Sequence, residues 1–380
     1  MRIGVNLLPF RQQLAGAGRF TKNILENLAR LDQRNKYFLF VTEPSKANFQ
    51  LGVDNFTQIN CPFSPTSIIS RILWEQLILP WQLLYYRIDL LFTPSVAIPF
   101  WTPGKTVTVI HDMIPFHKSV AKYSRMRSNY IRAATIKAIK KSDILIAVSE
   151  TTKREMIQLC DAPEDRIFVC LEGADLKYQK ITSQSVINEG RLKYKLPDKF
   201  ILFVGTLEPG KNLPRLFEAF YQLKKENRIA QKLVIVGAYG WGRLRHYREV
   251  LQAPQALKDE IIFTGYVPDE DLPLIYNAAD LFVFPSLYEG FGLPPLEAMA
   301  CGTPVITSNL SSLPEIVGEA GILINPYNTK DLADAIERVL KDDALKKAMI
   351  AKGLAQVKKF SWRRAAEVIY NSFNQVGGKN

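Results

Sequence analysis

The 380-residue sequence predicts two α/β domains, each a doubly wound parallel sheet. Three observations lead there. Short apolar runs, too short for helices, alternate with amphipathic helical patterns. The alternation occurs twice, before and after a polar stretch from Thr182 to Asp198. A chain of this length divides into about two domains at roughly 100–200 residues each.

Arg2–Leu7 reads as the first buried strand, and Arg19–Leu31 as a helix with Phe20, Ile24, Leu28 and Leu31 on one stripe. Tyr37–Thr42, Leu90–Phe92, Thr106–Ile110 and Ile144–Val148 are expected to be further strands of the first sheet. After the polar stretch the pattern restarts with Phe200–Val204. Lys232–Val236, Ile261–Thr264, Leu281–Phe284, Pro304–Thr307 and Gly321–Ile324 follow as strands, with helices between them. Ser312 with Glu315 three residues on has the form of a capping box. Ser361–Val376 is amphipathic, with Trp362, Ala365, Val368, Ile369 and Phe373 to bury.

At 47% hydrophobic and 23% charged, the composition excludes a disordered chain. Cys61, Cys160, Cys170 and Cys301 lie far apart with no C-x-x-C pair, which argues against a zinc or redox dithiol site and suits a reduced, cytoplasmic compartment. The N-terminus lacks the apolar core of a signal peptide. The apolar region Ser67–Tyr86 is interrupted by Arg71, Glu75, Gln76, Pro80 and Gln82, so it is not a membrane span. Within it, Trp74–Trp81 is expected to be packed, buried helix, with the apolar part of a membrane contact as the alternative. The net charge of +12 is uneven: Lys118–Arg154 holds ten basic residues against Asp143 and Glu150. Such a patch attracts nucleic acid, an anionic lipid surface or a phosphate-bearing substrate, or is a solvated face.

Four loops each follow a strand and open a helix, where free N–H groups and the helix dipole favour anions. In Ala15–Phe20, Gly16 and Gly18 permit close backbone approach and Arg19 adds charge; an ordinary tight turn is the alternative. In Phe203–Leu213, Gly205 and Gly210 loosen the backbone, and Lys211 can set a point charge against a phosphate before a helix from Arg215. In Val109–Pro115, His111 leaves a strand end, with Asp112 beside it to orient the imidazole. The fourth loop, Pro285–Gly302, holds Glu289 and Glu297 around Gly290 and Gly292. Pro294 and Pro295 suit the first turn of a short helix, which places Glu297 in that turn. A carboxylate there accepts bonds from a vicinal diol, so Glu297 is expected to hold sugar hydroxyls, the N–H groups of Gly292 and Leu293 phosphates, and Glu289 a second sugar.

The run Phe284–Ile306 with its E-x7-E element, together with Gly205–Leu213 and Val109–Asp112, resembles glycosyltransferase family four, the group 1 glycosyltransferases, across nearly the whole chain. The resemblance implies a GT-B fold: two Rossmann-like domains facing across a cleft, here 1–180 and 199–360, with 181–198 as linker and the terminal helix 361–380 packing back on the first. It implies retaining transfer from a nucleotide sugar without an obligatory metal or other cofactor. Glu297 would bind the nucleotide ribose, Glu289 the donor sugar and Lys211 the diphosphate. Gly16 and Gly18 would line the phosphate side, His111 would lie near the reacting sugar, and Val267 near the base. Where many members carry a second basic residue, this chain has Thr206 and Gly210, so the diphosphate clamp is either weaker or completed by another arginine, Arg19 or Arg243.

The function expected is therefore transfer of a hexose, with a lean to mannose by resemblance, from a UDP-, GDP-, ADP- or dTDP-sugar to a glycan or lipid-linked glycan. The catalytic candidates are Lys211, Glu289 and His111, and nucleic acid is not an expected partner. A cytoplasmic enzyme at the inner face of an anionic membrane fits the basic patch. Two rivals stand beside this reading: a nucleotide-sugar epimerase or phosphorylase of the same architecture, and a protein that binds nucleic acid or membrane through the patch.

Overall fold

The apolar runs form two sheets in which every pairing is parallel. The structure, a computed structural model, describes all residues except 13, 64–66, 118–119, 121–124, 239–258 and 379–380. One compact unit comprises Met1–Phe116, Arg125–Glu172 and Ser361–Asn380; the other comprises His117–Ser124 and Gly173–Phe360.

In the first unit the strands are β1 (Arg2–Asn6), β2 (Lys36–Val41), β3 (Phe56–Asn60), β4 (Leu90–Thr93), β5 (Lys105–Ile110), β6 (Ile144–Ala147) and β7 (Ile167–Val169), in the order β3-β2-β1-β4-β5-β6-β7. β3 and β7 escape the sequence pattern because neither is a clear apolar run. β3 reads FTQIN and is only partly buried, and β7 has three residues. Central strands covered on both faces, such as β4 with all four residues buried, form the continuous apolar runs that pattern reading finds.

The second unit holds β8 (Phe200–Val204), β9 (Lys232–Val236), β10 (Ile261–Gly265), β11 (Leu281–Phe284), β12 (Val305–Ser308) and β13 (Ile322–Ile324), in the order β10-β9-β8-β11-β12-β13. In both sheets the order reverses once, between β1 and β4 and between β8 and β11. Parallel sheets bind ligands outside the carboxyl ends of the strands at that reversal.

The final helix, Trp362–Gly377, belongs to the first unit and packs along the helix Gly16–Leu31. Trp362 meets Phe20 at 6.0 Å and Phe373 meets Phe92 at 5.3 Å between ring centroids. The polar stretch 181–198 is not featureless, since Gln184–Lys193 is a helix packed on Leu272–Ala278 within the second unit.

Three local expectations are corrected. The first helix starts at Gly16, not Arg19, so both loop glycines lie inside its first turn. The capping box at Ser312 does not form: the helix Leu313–Val317 has no side-chain cap, because the Ser312 hydroxyl is engaged elsewhere. Trp74–Trp81 is not buried as a whole. Leu79 and Pro80 are covered, but Trp81 is 67% and Leu77 59% exposed.

Candidate active site

Lys211 closes a single 3-10 turn, Pro209–Lys211, at the carboxyl end of β8, and Glu289 follows β11. These two strands flank the order reversal of the second sheet, so topology alone brings the two loops together. Lys211 Nζ lies 2.6 Å from Glu289 Oε1 and 5.1 Å from the Phe284 ring centroid, and both charged side chains are mostly buried. Charge-assisted bonds of this length are strong, and partial exclusion of water strengthens them.

The pair is held by groups that pattern reading does not single out. The Ser286 hydroxyl, fully buried, donates to Glu289 Oε1 at 2.5 Å. Ser311 Oγ accepts the Glu289 N–H at 2.9 Å, and Ser312 Oγ donates to the Glu289 carbonyl at 3.0 Å and also engages the Phe291 carbonyl. Ser312 therefore ties down the glutamate loop in place of capping its own helix. Asn212, in the left-handed region with φ 57°, sends its amide to the carbonyls of Pro285 and Pro326 at 3.1 and 2.8 Å, which locks the lysine turn to the β11 loop. Serines at these positions have no spacing that reveals their role; only the meeting of three loops does.

Replacing Ser286 with alanine tests this support. The hydroxyl fills little volume, so folding should survive, while Glu289 loses its fixed orientation. Turnover should fall about tenfold, in line with the lower end of general positioning effects, with a melting point near that of the wild type. Unchanged turnover would show that Lys211 alone holds the carboxylate.

Glu297 lies deeper and is 1% exposed. Its helix, Leu293–Ala300, begins at Leu293, so Glu297 is the fifth residue and not in the first turn. The helix dipole, which acts within that turn, does not organise it. Tyr276 does, donating its hydroxyl to Glu297 Oε2 at 3.0 Å. Burial, followed by the charge of Glu297, pushes the Tyr276 phenol well above its ordinary range, so it stays a donor.

Gly292, at φ 126°, caps this helix in a conformation that suits glycine, and Leu293 is its first residue. Gly205 and Thr206 follow β8, with Thr206 exposed, and Val267 is buried just beyond β10. At Gly210 a Cβ would sit 2.8 Å from Val120 Cγ1, so a basic residue there would have to displace Val120. The absence of the second base at 210 thus has a packing counterpart. Arg19 lies in the first turn of its helix, while Arg243, the other candidate clamp, lies outside the described residues.

The first unit has its own polar edge at the carboxyl ends of β1, β4 and β5. His111, just past β5, has Nε2 3.0 Å from the Pro94 carbonyl, and its ring lies nearly perpendicular to that of Phe20 at 5.0 Å between centroids. A carbonyl only accepts, so Nε2 carries the proton. Asp112 does not orient this ring; its carboxylate accepts the Ile114 N–H instead. Glu172 Oε1 stands 4.0 Å from Nδ1, too far for a hydrogen bond, and burial prevails: the imidazole is pushed down to about 4. Gly16 and Gly18 lie in the helix that also carries Phe20, with Gly18 buried against Leu14.

A sign follows for stability. Below pH 6.5 the unfolded chain protonates this histidine while the folded chain does not, so stability falls as pH drops from 6.5 towards 4 and is indifferent to His111 above that window. Between pH 7 and 5 the loss should be about 2 kcal/mol for this group. Denaturant unfolding of the wild type and His111→Gln at both pH values measures it, and equal pH responses would refute it.

Among the described residues no cluster of three or more His, Cys, Asp or Glu could hold a metal ion. The described cysteines are free, and burial, as the main cause, raises Cys170 and Cys301 well above the ordinary thiol range.

Comparison with known proteins bears on this geometry. Residues 14–178 match the family described as Glycosyltransferase Family 4, and residues 188–356 match Glycosyl transferases group 1. The O-antigen chain mannosyltransferase B of Escherichia coli is 31% identical over 96% of this chain and 97% of its own length. This chain is a family 4 glycosyltransferase. The serotype-specific mannosyltransferase WbdA of Escherichia coli is 33% identical over 74% of this chain but only 35% of its own length, so the chain spans about a third of that relative. Sucrose-phosphate synthase from Thermosynechococcus elongatus superposes over 100% of both chains with a TM-score of 0.81 at 21% identity, a likeness of fold. The two Rossmann-like sheets of this family 4 chain are those of a GT-B protein.

Proposed function

We propose that this family 4 chain transfers a hexose, mannose by the names of its relatives, from a nucleotide sugar to a glycan or lipid-linked glycan, with retention of configuration. The observation that carries the proposal is the Lys211–Glu289 pair at the strand-order reversal of the second sheet. A diphosphate needs a cation, and a sugar needs a hydrogen-bond acceptor for its hydroxyls. The pair supplies both within one hydrogen-bond length of each other.

In this reading Lys211 binds the diphosphate together with the backbone N–H groups of Gly205, Thr206, Gly292 and Leu293. Glu289 takes the sugar hydroxyls, Glu297 the ribose and Val267 the base. As the glycosidic bond breaks, negative charge grows on the leaving phosphate, and a fixed ammonium stabilises it more in the transition state than in the ground state. His111, neutral at physiological pH, and Gly16 and Gly18 keep the roles that the family resemblance implies for them, near the reacting sugar and the phosphates. No metal is assigned a role.

The test is a melting-point screen with UDP-, GDP-, ADP- and dTDP-hexoses, followed by transfer assays with the ligand that binds. A nucleotide sugar at 100 times its dissociation constant should stabilise the fold by about 2.7 kcal/mol. Conversion of the donor to an isomer without acceptor would replace the transferase by an epimerase, and no shift with any nucleotide sugar would overturn the proposal.

A further inference from the structure

The segment Ile68–Tyr85 of the first unit is an amphipathic helix turned inside out. It runs as helix Ile68–Leu73, a π-helical turn Trp74–Ile78 and helix Leu79–Tyr85. Ile69, Leu73, Leu77, Trp81 and Tyr85 recur every four residues and are 72, 52, 59, 67 and 79% exposed. On a helix of 3.6 residues per turn a period of four drifts by about 40° each turn. The wider π turn sets part of that drift back, so the stripe stays on one side. The opposite side buries Leu79, Leu83 and the carboxylate of Glu75, which is 1% exposed. Ordinary water-facing helices have the reverse arrangement.

The stripe continues onto the loop after β4, where Trp101 lies 6.2 Å from Trp81 between ring centroids. Phe100, 66% exposed, joins this loop to the helix Arg125–Lys141. Lys137 Nζ stands 3.7 Å over its ring and Lys141 bonds its carbonyl, while Lys137 also reaches the Gln76 side chain at 3.3 Å. That helix carries six basic residues and no acid. An exposed aliphatic and aromatic face is thus bordered on the same unit by a helix whose charged residues are all cationic.

We propose that this composite face docks on an anionic lipid bilayer, with Leu77, Trp81 and Trp101 entering the interface and the basic helix meeting the headgroups. Tryptophan and tyrosine favour that boundary because the ring is apolar and one edge is polar. Cations beside an apolar helix face are attracted by the negative surface potential. A second copy of the chain fits less well, since a two-fold interface would set the same basic flank against itself. The inference extends the reading above, in which the acceptor is a glycan or a lipid-linked glycan, by favouring the lipid-linked one, but its measurement does not depend on transfer.

Cosedimentation of the full chain with phosphatidylcholine vesicles, with and without phosphatidylglycerol, tests it. The wild type should bind the anionic vesicles, and more weakly as salt rises. Leu77→Ser/Trp81→Ser and, separately, Arg127→Glu/Lys140→Glu should each weaken binding by about tenfold or more. All these side chains except Leu77 and Trp81 are charged surface groups, and those two are exposed, so both variants should keep the wild-type melting point. Transfer to a soluble acceptor should be unaffected, and Lys211→Ala should bind vesicles as the wild type does. A wild type that ignores anionic vesicles, or variants that bind them equally well, would overturn the proposal. So would variants that lose self-association in ultracentrifugation, which would make the face a homodimer surface.

Discussion

Replacing Lys211 by alanine should leave a folded protein whose transfer rate is lower by about 10³-fold, near the upper end of what removing one charge-stabilising donor costs. The ammonium lies 2.6 Å from Glu289 and close to the Phe284 ring, and among the described residues of these two loops it is the only lysine or arginine that pairs with Glu289. Its loss removes charge stabilisation from the leaving phosphate and leaves the mostly buried Glu289 carboxylate with the Ser286 hydroxyl as a donor but without its cation. Two effects therefore add, weaker diphosphate binding and a carboxylate freed from its orientation. Glu289→Ala should fall by a similar factor, and the double variant should be little worse than either single one, because the pair acts as a unit. Assays of kcat and melting point on the three variants decide it. Turnover within a factor of ten of the wild type in Lys211→Ala would remove the pair from the mechanism. Full additivity in the double variant would show that the two residues act independently.

The largest effect on stability is expected at Gly237, a position that pattern reading passes over. Gly237 directly follows β9 at φ 147°, and a Cβ there would lie 2.0 Å from the Gly205 carbonyl oxygen. The obstacle is backbone, and both neighbours are pinned: Gly205 N–H donates to the Val236 carbonyl and Gly237 N–H to the Gly265 carbonyl, each at 2.9 Å. Gly237→Ala must either strain that φ or push the β8 loop aside, and should destabilise the second unit by about 3 kcal/mol or more. Because the displaced loop is the one that leads to Lys211, nucleotide-sugar binding should weaken along with stability. Gly205→Ala is the control: a Cβ there meets nothing nearer than 3.4 Å, so it should be far milder. Denaturant unfolding of both variants measures the contrast, and a Gly237→Ala protein as stable as the wild type would refute it.

Much of the architecture is legible before folding. Strands covered on both faces must be apolar throughout, so β1, β4, β5, β8, β9 and β11 announce themselves, as does the alternation with helices that forces parallel pairing. β3 and β7 do not, because β3 is polar and only partly buried and β7 is three residues long. The loops that carry Lys211, Glu289 and His111 are legible for a related reason. A strand end followed by a helix start is a site of free backbone donors, and a charged residue there stands out against apolar surroundings.

What the sequence by itself determined was the pair of parallel sheets and the chemical types at their carboxyl ends, since hydrophobic periodicity and residue charge are local properties. Tertiary structure decided the rest. It chose Tyr276 rather than a helix dipole to orient Glu297, Pro94 rather than Asp112 to hold His111, and Ser312 as a tie for the glutamate loop rather than a helix cap. It also turned the face of Ile69, Leu73, Leu77, Trp81 and Tyr85 outward and that of Glu75 inward. In each case the deciding partner is remote in sequence or set by packing. A side chain with several possible partners takes the one that the fold brings within about 3 Å, and no local pattern encodes that distance.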